Sequence, residues 1–346
     1  MAVRLRDVAT HAGVSVKTVS NVVNGFPHIS EATKEKVLRS ISELGYRPNL
    51  SARHLKYGRS GFIALAVPEL GIPYFAELAT RIDAKAAELG HIMLLDITRA
   101  DQRTERMVLD GVQSRMIDGV IFSPLSLDFG EIDASGLTVP MVFLGERAIP
   151  EGVDHVAVDS VAAARAMTEH LISLGRTRIG AIGRSRGVST GSVRLKGFRQ
   201  ALREAGLPSD PELVYATETY SREAGRQAML RLLDLPEPPD AVFCFNDLMA
   251  IGALRACSER GVRVPDDVAV AGFDDILEGR YTSPSLSTVT PDLDFLVDRV
   301  LDLLIARING SEAPGERVNV PWELTLREST LGVVSREGAR PASLRP

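Results

Sequence analysis

The stretch LRDVATHAGVSVKTVSNVVNG, residues 5–25, predicts two short helices joined by a tight turn. Apolar residues recur at helical spacing before Gly13 and again after Ser15. Gly13 is typical of a helix C-terminus, because glycine adopts the left-handed conformation at little cost. Ser15 is typical of an N-cap, because its side-chain oxygen accepts a hydrogen bond from a backbone N–H of the first turn.

The second of these helices has two different faces. Val19, Val22 and Val23 share one face and are predicted to pack in the core. The other face is mostly polar, and a helix in the DNA major groove reads base edges with such side chains. Its predicted DNA contacts are Val16, Lys17, Thr18, Ser20 and Asn21.

Each residue type on that face suits a different contact. A lysine such as Lys17 can donate to guanine, and an asparagine such as Asn21 can pair with adenine through two hydrogen bonds. Val16 can pack on the methyl group of thymine. Thr18 and Ser20 suit phosphate oxygens, which position the helix without conveying sequence.

A third helix is predicted to begin after Ser30 and to end before Gly45. Its apolar stripe consists of Val37, Leu38, Ile41 and Leu44. Two helices around a turn and a supporting third helix predict a helix-turn-helix DNA-binding domain over residues 1–48.

Charge is distributed unevenly along the 346 residues, whose formal net charge is −5. Residues 1–59 contain ten Lys and Arg against four Asp and Glu, a balance of +6, so the remaining 287 residues carry −11. A basic head on an acidic body indicates that the head meets a polyanion, although a solvated basic face would give the same count.

The composition predicts a globular protein that stays in the cytoplasm. Hydrophobic residues make up 45% and charged residues 25%, no apolar run is long enough to span a membrane, and the N-terminus does not resemble a signal peptide. Cys244 and Cys257 lie in apolar surroundings without metal-ligand spacing, so we expect buried thiols, with no disulfide, metal or cofactor.

The segment RPNLSARHLKYGRS, residues 47–60, is basic and has two alternative interpretations. Ala52 and Leu55 fall on one side of a potential helix from Leu50 to Tyr57, which would be marginal in isolation. The segment is either a flexible basic linker or a helix that forms on DNA. In the second case Leu55 would act as an apolar wedge that kinks the duplex through the minor groove.

The quoted stretch, together with ISEATKEKVLRSISELGYRPNLSARHLKYGR, resembles the N-terminal region of the lactose-repressor (LacI) family of bacterial transcription regulators. The resemblance implies a homodimer on a near-palindromic double-stranded operator, with paired hinge helices over residues 49–60. The hinge residues that it implies at the DNA are Asn49, Ala52, Arg53, Leu55 and Lys56. Several members carry a long donor where this chain has Asn21, so the operator sequence is expected to differ.

From Gly61 onward, apolar runs of strand length alternate with helical patterns. Runs such as FIALAVP at 62–68, HIMLLDI at 91–97, GVIFSP at 119–124 and PMVFLG at 140–145 are typical of strands buried on both faces. This order predicts an α/β fold with parallel sheets covered by helices. A break near residues 159–161 and strand-like segments at 285–291 and 317–329 favour two lobes over one large sheet.

The resemblance extends to about residue 332 and implies a two-lobed, periplasmic-binding-protein-like α/β domain that binds an effector and dimerises. Its expected subdomains are about 61–159 with 291–320, and about 160–290 with 321–332. Residues 333–346 form a tail without leucine heptads, so we expect a dimer and no tetramerising coiled coil.

Ligand-binding candidates follow the predicted strands, where loops of parallel sheets face a crevice. Aromatic rings can stack on a ligand ring, and carboxylate, guanidinium and amide groups match the donors and acceptors of vicinal hydroxyls. The resemblance supports Arg194, Asn246 and Asp274 in particular. The predicted effector-binding residues are Tyr74, Phe75, Asp159, Thr190, Arg194, Tyr220, Asn246 and Asp274, with Glu146 as a further candidate.

Other functions fit the sequence less well. The glycine-rich stretch GAIGRSRGVSTG at 180–191 lacks the spacing of phosphate-binding motifs, and no catalytic constellation accompanies it, so we expect no enzyme. The sequence favours a repressor of carbohydrate-utilisation genes that a small sugar releases from DNA. The alternatives are a corepressor-type regulator, a sugar-uptake binding protein and a sugar-modifying enzyme.

Overall fold

A computed structural model describes residues 3–23, 26, 28–46, 59–111, 117–127, 137, 139–146, 149, 151–184 and 190–332. The chain divides into two compact units, Met1–Ser60 and Gly61–Pro346. The predicted hinge, residues 49–60, falls outside the described residues except for Arg59 and Ser60. Among the described helices, none is long and apolar enough to cross a membrane.

The first unit contains the three predicted helices. They are α1 (Leu5–Ala12), α2 (Val16–Val23) and α3 (Glu31–Leu44). Gly13 ends α1 in the left-handed conformation, with φ 59° and ψ 39°. Ser15 Oγ accepts a hydrogen bond from the Thr18 N–H at 3.1 Å, and Ser30 Oγ accepts one from the Thr33 N–H. The predicted caps are therefore confirmed.

A small apolar core holds these helices together. Its buried residues are Val8, Ala9, Ala12, Val19, Val37 and Tyr46, and Val22 and Val23 pack against them partly buried. Helix α2 contributes its valines to this core, while Val16 on the same helix is 44% exposed. The two-faced character predicted for α2 is confirmed.

The second unit alternates strands and helices along the chain, as predicted. Its strands are β1 (Phe62–Val67), β2 (Ile92–Ile97), β3 (Gly119–Phe122), β4 (Met141–Leu144), β5 (Asp154–Val158), β6 (Ile179–Arg184), β7 (Val214–Ala216), β8 (Ala241–Cys244), β9 (Ala269–Phe273), β10 (Ser287–Pro291), β11 (Arg317–Val320) and β12 (Trp322–Thr325). Its helices are α4 (Pro73–Glu88), α5 (Gln102–Leu109), α6 (Ser160–Ser173), α7 (Thr190–Glu204), α8 (Arg222–Leu233), α9 (Asp247–Arg260), α10 (Leu293–Ile308) and α11 (Glu328–Leu331).

The strands form two sheets, which define two lobes. In the first lobe the strand order is β11-β5-β4-β3-β1-β2, and in the second it is β12-β10-β9-β8-β6-β7. The paired strands are parallel except β12, which runs antiparallel to β10. The chain passes from one sheet to the other after β5, after β10 and between β11 and β12. Each lobe has its own buried core around its sheet.

Strand β2 differs from the prediction. Its apolar run indicated burial on both faces, but Ile92, Leu95 and Ile97 are all exposed. Strand β2 is one of the two edge strands of its sheet and pairs with β1. An apolar run shows that a segment avoids water, but it does not show whether a neighbouring element of the same chain covers it.

The two cysteines are buried within the second lobe, as predicted. Cys244 ends β8 and Cys257 lies on α9. Burial in this apolar core raises the pKa of the Cys244 thiol. Burial also raises the pKa of Cys257, to about 12, so both groups are thiols at neutral pH.

Candidate functional site

Helix α2 of the first unit carries one candidate site on the face that leaves the core. Lys17 and Val16 are exposed there, and Thr18, Ser20 and Asn21 are half-buried. Thr18 Oγ1 lies 2.8 Å from Ser15 Oγ, so its hydroxyl already takes part in the helix cap. The other predicted DNA contacts, Asn49, Ala52, Arg53, Leu55 and Lys56, lie outside the described residues.

A cavity of about 110 Å³ in the second unit is lined by residues of both lobes. The first lobe contributes residues that follow β1, β3 and β4, and the second contributes residues that follow β8 and β9 or begin α7. The cavity therefore lies where the carboxyl ends of parallel strands meet, the usual ligand position in such sheets. Of the predicted effector contacts it brings together Tyr74, Phe75, Thr190, Arg194, Tyr220, Asn246 and Asp274, with Glu146.

Tyr74 and Phe75 form an aromatic wall at the start of α4. Pro73 occupies the first turn of this helix, where its missing N–H leaves no unmade hydrogen bond. The two ring centroids are 5.3 Å apart in an edge-to-face arrangement. Burial, with the nearby carboxyl groups of Asp274 and Glu146, raises the pKa of Tyr74, so its hydroxyl keeps its proton.

Arg194 is the centre of the polar part of the cavity and is only 6% exposed. Its Nε and Nη2 donate to Glu146 Oε1 at 3.2 and 2.7 Å. Its Nη1 donates to the carbonyl oxygen of Phe245 and lies 3.5 Å from Asp274 Oδ1. The guanidinium carbon lies 3.4 Å from the ring centroid of Phe273, within cation–π distance.

The two carboxylates beside Arg194 come from different lobes. Glu146 follows β4, and its Oε1 also accepts a hydrogen bond from Ser160 Oγ. Its Oε2 is buried and has no hydrogen-bond partner among the described residues. Asp274 follows β9, and burial raises its pKa to about 7, with Glu146 adding to the rise and Arg194 opposing it.

The conformation of Asp274 departs from ordinary backbone geometry. Its φ is +113°, and that of Asp275 is +52°, values that cost energy in residues other than glycine. Buried Asp247 accepts hydrogen bonds from Thr288 Oγ1 at 2.6 Å and from the Ile276 N–H at 2.9 Å. Asp247 therefore fixes the segment that carries Asp274.

Asn246, Tyr220 and Thr190 complete the second-lobe side of the cavity. Asn246 Oδ1 caps α9 by accepting from the Met249 N–H at 2.9 Å. Tyr220 Oη accepts a hydrogen bond from the Gly191 N–H at 3.0 Å, which positions the start of α7 beside Thr190. Asn246 and Tyr220 therefore each have a structural partner, and all three residues line the cavity.

Asp159 is not brought into the cavity lining. Its Oδ1 accepts a hydrogen bond from the Ala162 N–H at 3.0 Å and caps α6. The preceding residues Ala157 and Val158 line the cavity instead. Asp159 directly follows strand β5, which places it near the crevice. Its carboxylate nevertheless faces helix α6, which it caps.

Glu105 supports the cavity wall and was missed in the sequence. It is fully buried on α5, and its two carboxylate oxygens accept hydrogen bonds from the N–H groups of Leu125, Ser126 and Leu127 at 2.8, 2.8 and 2.9 Å. Leu125 lines the cavity. A glutamate in the first turn of a helix is already explained by its favourable interaction with the helix dipole, so no sequence pattern indicated this separate contact.

Within the described part of the chain, no three His, Cys, Asp or Glu side chains are grouped closely enough to hold a metal ion. The polar groups of the cavity are thus a guanidinium, two carboxylates, an amide and hydroxyls. Such a set can hydrogen-bond several hydroxyl groups of one small molecule, while the aromatic wall contacts its apolar faces.

Two family models match the chain. Residues 4–49 match the bacterial regulatory proteins of the lacI family, and residues 168–330 match a periplasmic binding protein-like domain. The chain is 36% identical to the HTH-type transcriptional regulator DegA of Bacillus subtilis, over 95% of this chain and 98% of that protein.

Two solved structures extend the comparison. The lac repressor dimer bound to operator and the anti-inducer ONPF has a TM-score of 0.83 and 28% identity, over 96% of this chain and 100% of that one. The complex of the transcriptional regulator CelR with cellobiose has a TM-score of 0.69 and 33% identity, over 94% and 99%. Both resemble this chain along nearly all of its length.

Proposed function

Because this chain belongs to the lacI family of bacterial regulatory proteins, a family of DNA-binding transcription regulators, we propose that it represses carbohydrate-utilisation genes and that a small sugar releases it from its operator. The proposal of a sugar effector rests on buried Arg194. Its guanidinium lies between one carboxylate of each lobe, in a cavity that both lobes line. A molecule bound there contacts both lobes at once.

Helix α2 is the proposed reading helix. Its valines are committed to the core, so the outward residues Val16, Lys17 and Asn21 are available for base edges in the major groove. The balance of +6 over residues 1–59 favours binding to the phosphate backbone. The hydroxyl of Thr18 lies within hydrogen-bond distance of Ser15 Oγ, and it can still donate to a phosphate oxygen when Ser15 is the donor of that pair.

We propose that the protein acts as a homodimer on a near-palindromic operator. The lac repressor structure that this chain resembles is a dimer bound to operator. In this chain the edge strand β2 exposes Leu95 and Ile97 on one face and Ile92 on the other, and such an apolar edge is suited to a second copy. Paired heads then read two half-sites, and each hinge is proposed to insert its Leu55 between them.

An effector changes operator affinity only through its different affinities for the two states of the protein. A hundredfold loss of operator affinity requires about 2.7 kcal/mol of coupling. A sugar that changes how the two lobes are arranged is proposed to supply this energy and to separate the hinges.

The test begins with operator selection from a random DNA library, followed by a thermal-shift screen of mono- and disaccharides. Fluorescence anisotropy then measures operator binding with and without the sugar that raises the melting temperature. We expect the sugar to weaken operator binding at least tenfold. A sugar that tightens it would show a corepressor, and a stabilising sugar without any effect on DNA would refute the coupling.

In the same assay, the variant Arg194→Ala separates the response to sugar from the binding of operator DNA. It should still bind operator DNA without sugar, because helix α2 is unchanged. Its response to the sugar should be lost, and calorimetric titration should show weaker sugar binding. Unchanged sugar affinity would refute the proposed role of Arg194.

A further inference from the structure

The charged groups of the cavity are unbalanced. Among its described lining residues, Glu146 and Asp274 are acidic and Arg194 is the basic residue. Both carboxylates are nearly buried, with side-chain exposures of 8% and 10%. The described lining therefore has more acidic than basic groups, and both acids are largely shielded from water.

Arg194 has little capacity left for a ligand anion. Its Nε and Nη2 already donate to Glu146, and its Nη1 donates to Phe245 and faces Asp274. One face of its guanidinium lies against the ring of Phe273. An arginine that recognises phosphate or carboxylate presents two parallel N–H groups to it, and here Glu146 occupies that pair.

Glu146 Oε2 is the unsatisfied group of this arrangement. This oxygen is buried and has no hydrogen-bond partner among the described residues, and Glu146 lines the cavity. A buried carboxylate oxygen without a partner is costly, and it accepts hydrogen bonds but donates none. A ligand hydroxyl would satisfy it, whereas an anionic oxygen would be repelled by it.

We propose that Glu146 determines the effector class of this chain: it restricts the cavity to uncharged, hydroxyl-bearing ligands and excludes sugars that carry a phosphate or a carboxylate. This inference rests on the proposed effector function of the cavity. It states which class of sugar the cavity binds, and it assigns this selectivity to the side chain of Glu146.

The behaviour of Asp274 agrees with this proposal. Burial raises its pKa to about 7, and the neighbouring Glu146 adds to the rise. Asp274 therefore keeps its proton in part near neutral pH, as expected where a second carboxyl group lies close by. A ligand anion would add a further negative charge beside the carboxylate of Glu146, where little water screens it.

Matched pairs of ligands test the proposal with the full-length protein. The pairs are D-ribose with ribose 5-phosphate, D-glucose with glucose 6-phosphate, and D-glucose with gluconate. Thermal shift and calorimetric titration measure each member. We expect the uncharged member to bind at least a hundredfold more tightly in at least one pair, and no anionic member to exceed its uncharged partner. An anionic member that binds more tightly would overturn the proposal.

Glu146→Gln tests the side chain itself. The amide keeps its size and can still accept from Arg194 through Oε1, but it removes one negative charge. We expect this variant to gain at least tenfold in affinity for the phosphate esters and for inorganic phosphate as the smallest probe. Glu218→Gln, the same change at an exposed residue outside the cavity lining, should gain none.

The two levels of the proposal fail in different ways. If Glu146→Gln binds phosphate no better than the wild type, Glu146 does not select the ligand, whatever the natural effector is. If a sugar binds the wild type with the expected selectivity but leaves operator binding unchanged, the regulatory function fails while the selectivity stands.

Discussion

Replacing Glu105 by glutamine tests how the wall of the cavity is held in place. The wild-type carboxylate accepts three backbone N–H groups at 2.8, 2.8 and 2.9 Å, all from the segment Leu125–Leu127. Glutamine has one acceptor oxygen, and its NH₂ group then faces at least one of those donors. The change keeps the shape of the side chain and removes only its charge and half of its acceptors.

The magnitude follows from the number of hydrogen bonds. A hydrogen bond to a charged group contributes about 1.5–3 kcal/mol, and a buried donor left without a partner costs about 1–3 kcal/mol. If the amide oxygen keeps two of the three bonds, one donor is lost and the others weaken. We expect destabilisation of about 2–4 kcal/mol, or about 3–7 °C in melting temperature for a unit of this size.

Calorimetry measures the melting temperature, and hydrogen exchange monitors the amides of Leu125, Ser126 and Leu127. Their exchange should accelerate more than that of the neighbouring strand β3, because their acceptor is the group that changes. Glu218→Gln should stay within about 0.5 kcal/mol of the wild type, as surface substitutions do. Unchanged exchange at these three amides would refute the assignment of Glu105 as the group that holds the wall.

Three further predictions concern the reading helix, a helix contact and an acid. Asn21→Ala should relax the preference for one base by about 1–3 kcal/mol in a selection from random DNA, whereas an equal loss at every position would indicate a phosphate contact. Gly225→Ala should lower stability to urea by about 1–3 kcal/mol or more, because its Cβ would lie 2.1 Å from the carbonyl oxygen of Met249; Gln227→Ala on the same helix should change little. In the folded protein the pKa of Asp274 is raised from 3.8 to about 7, so Asp274 binds its proton more tightly than it does in the unfolded chain. This acid therefore makes stability fall as the pH rises from about 4 to 7, and Asp274→Asn should remove that slope from melting temperatures; an identical slope would contradict the assignment.

The helices of the first unit could be predicted because their ends depend on local signals. Gly13, Ser15 and Ser30 each act on the backbone within a few residues of their own position. The valine pattern of α2 likewise needs only the helical period. The rest of the fold does not change these local features, and the structure confirms them.

The positions of the strands in the second unit could be predicted from the sequence, but the elements that surround each strand could not. The run at 91–97 has the composition of a buried strand, yet β2 lies at a sheet edge and exposes Ile92, Leu95 and Ile97. Sheet order depends on which distant segments pair, and no local pattern records it. The exposed apolar residues of β2 therefore indicate a partner outside the described contacts of this chain.

The cavity was predicted where residues follow strands, and it was missed where a role depends on long-range contacts. Arg194, Asn246 and Asp274 line one cavity, as the family resemblance implied. Asp159 satisfied the same positional rule but became a helix cap. Glu105 lies about 20 residues before the N–H groups that it binds, so its role could be seen only in three dimensions.

The pair of Glu146 and Arg194 shows why a small ligand can control the arrangement of the lobes. Glu146 belongs to the first lobe and Arg194 to the second, so their 2.7 Å contact exists only while the lobes keep this arrangement, whereas the 3.5 Å contact between Arg194 and Asp274 lies within the second lobe. A hydrogen bond to a charged group contributes about 1.5–3 kcal/mol, and a hundredfold change in operator affinity needs about 2.7 kcal/mol. One or two hydroxyl contacts to Glu146 and Asp274 made in only one lobe arrangement therefore suffice. Tight binding by itself does not, because contacts made equally in both arrangements shift no population.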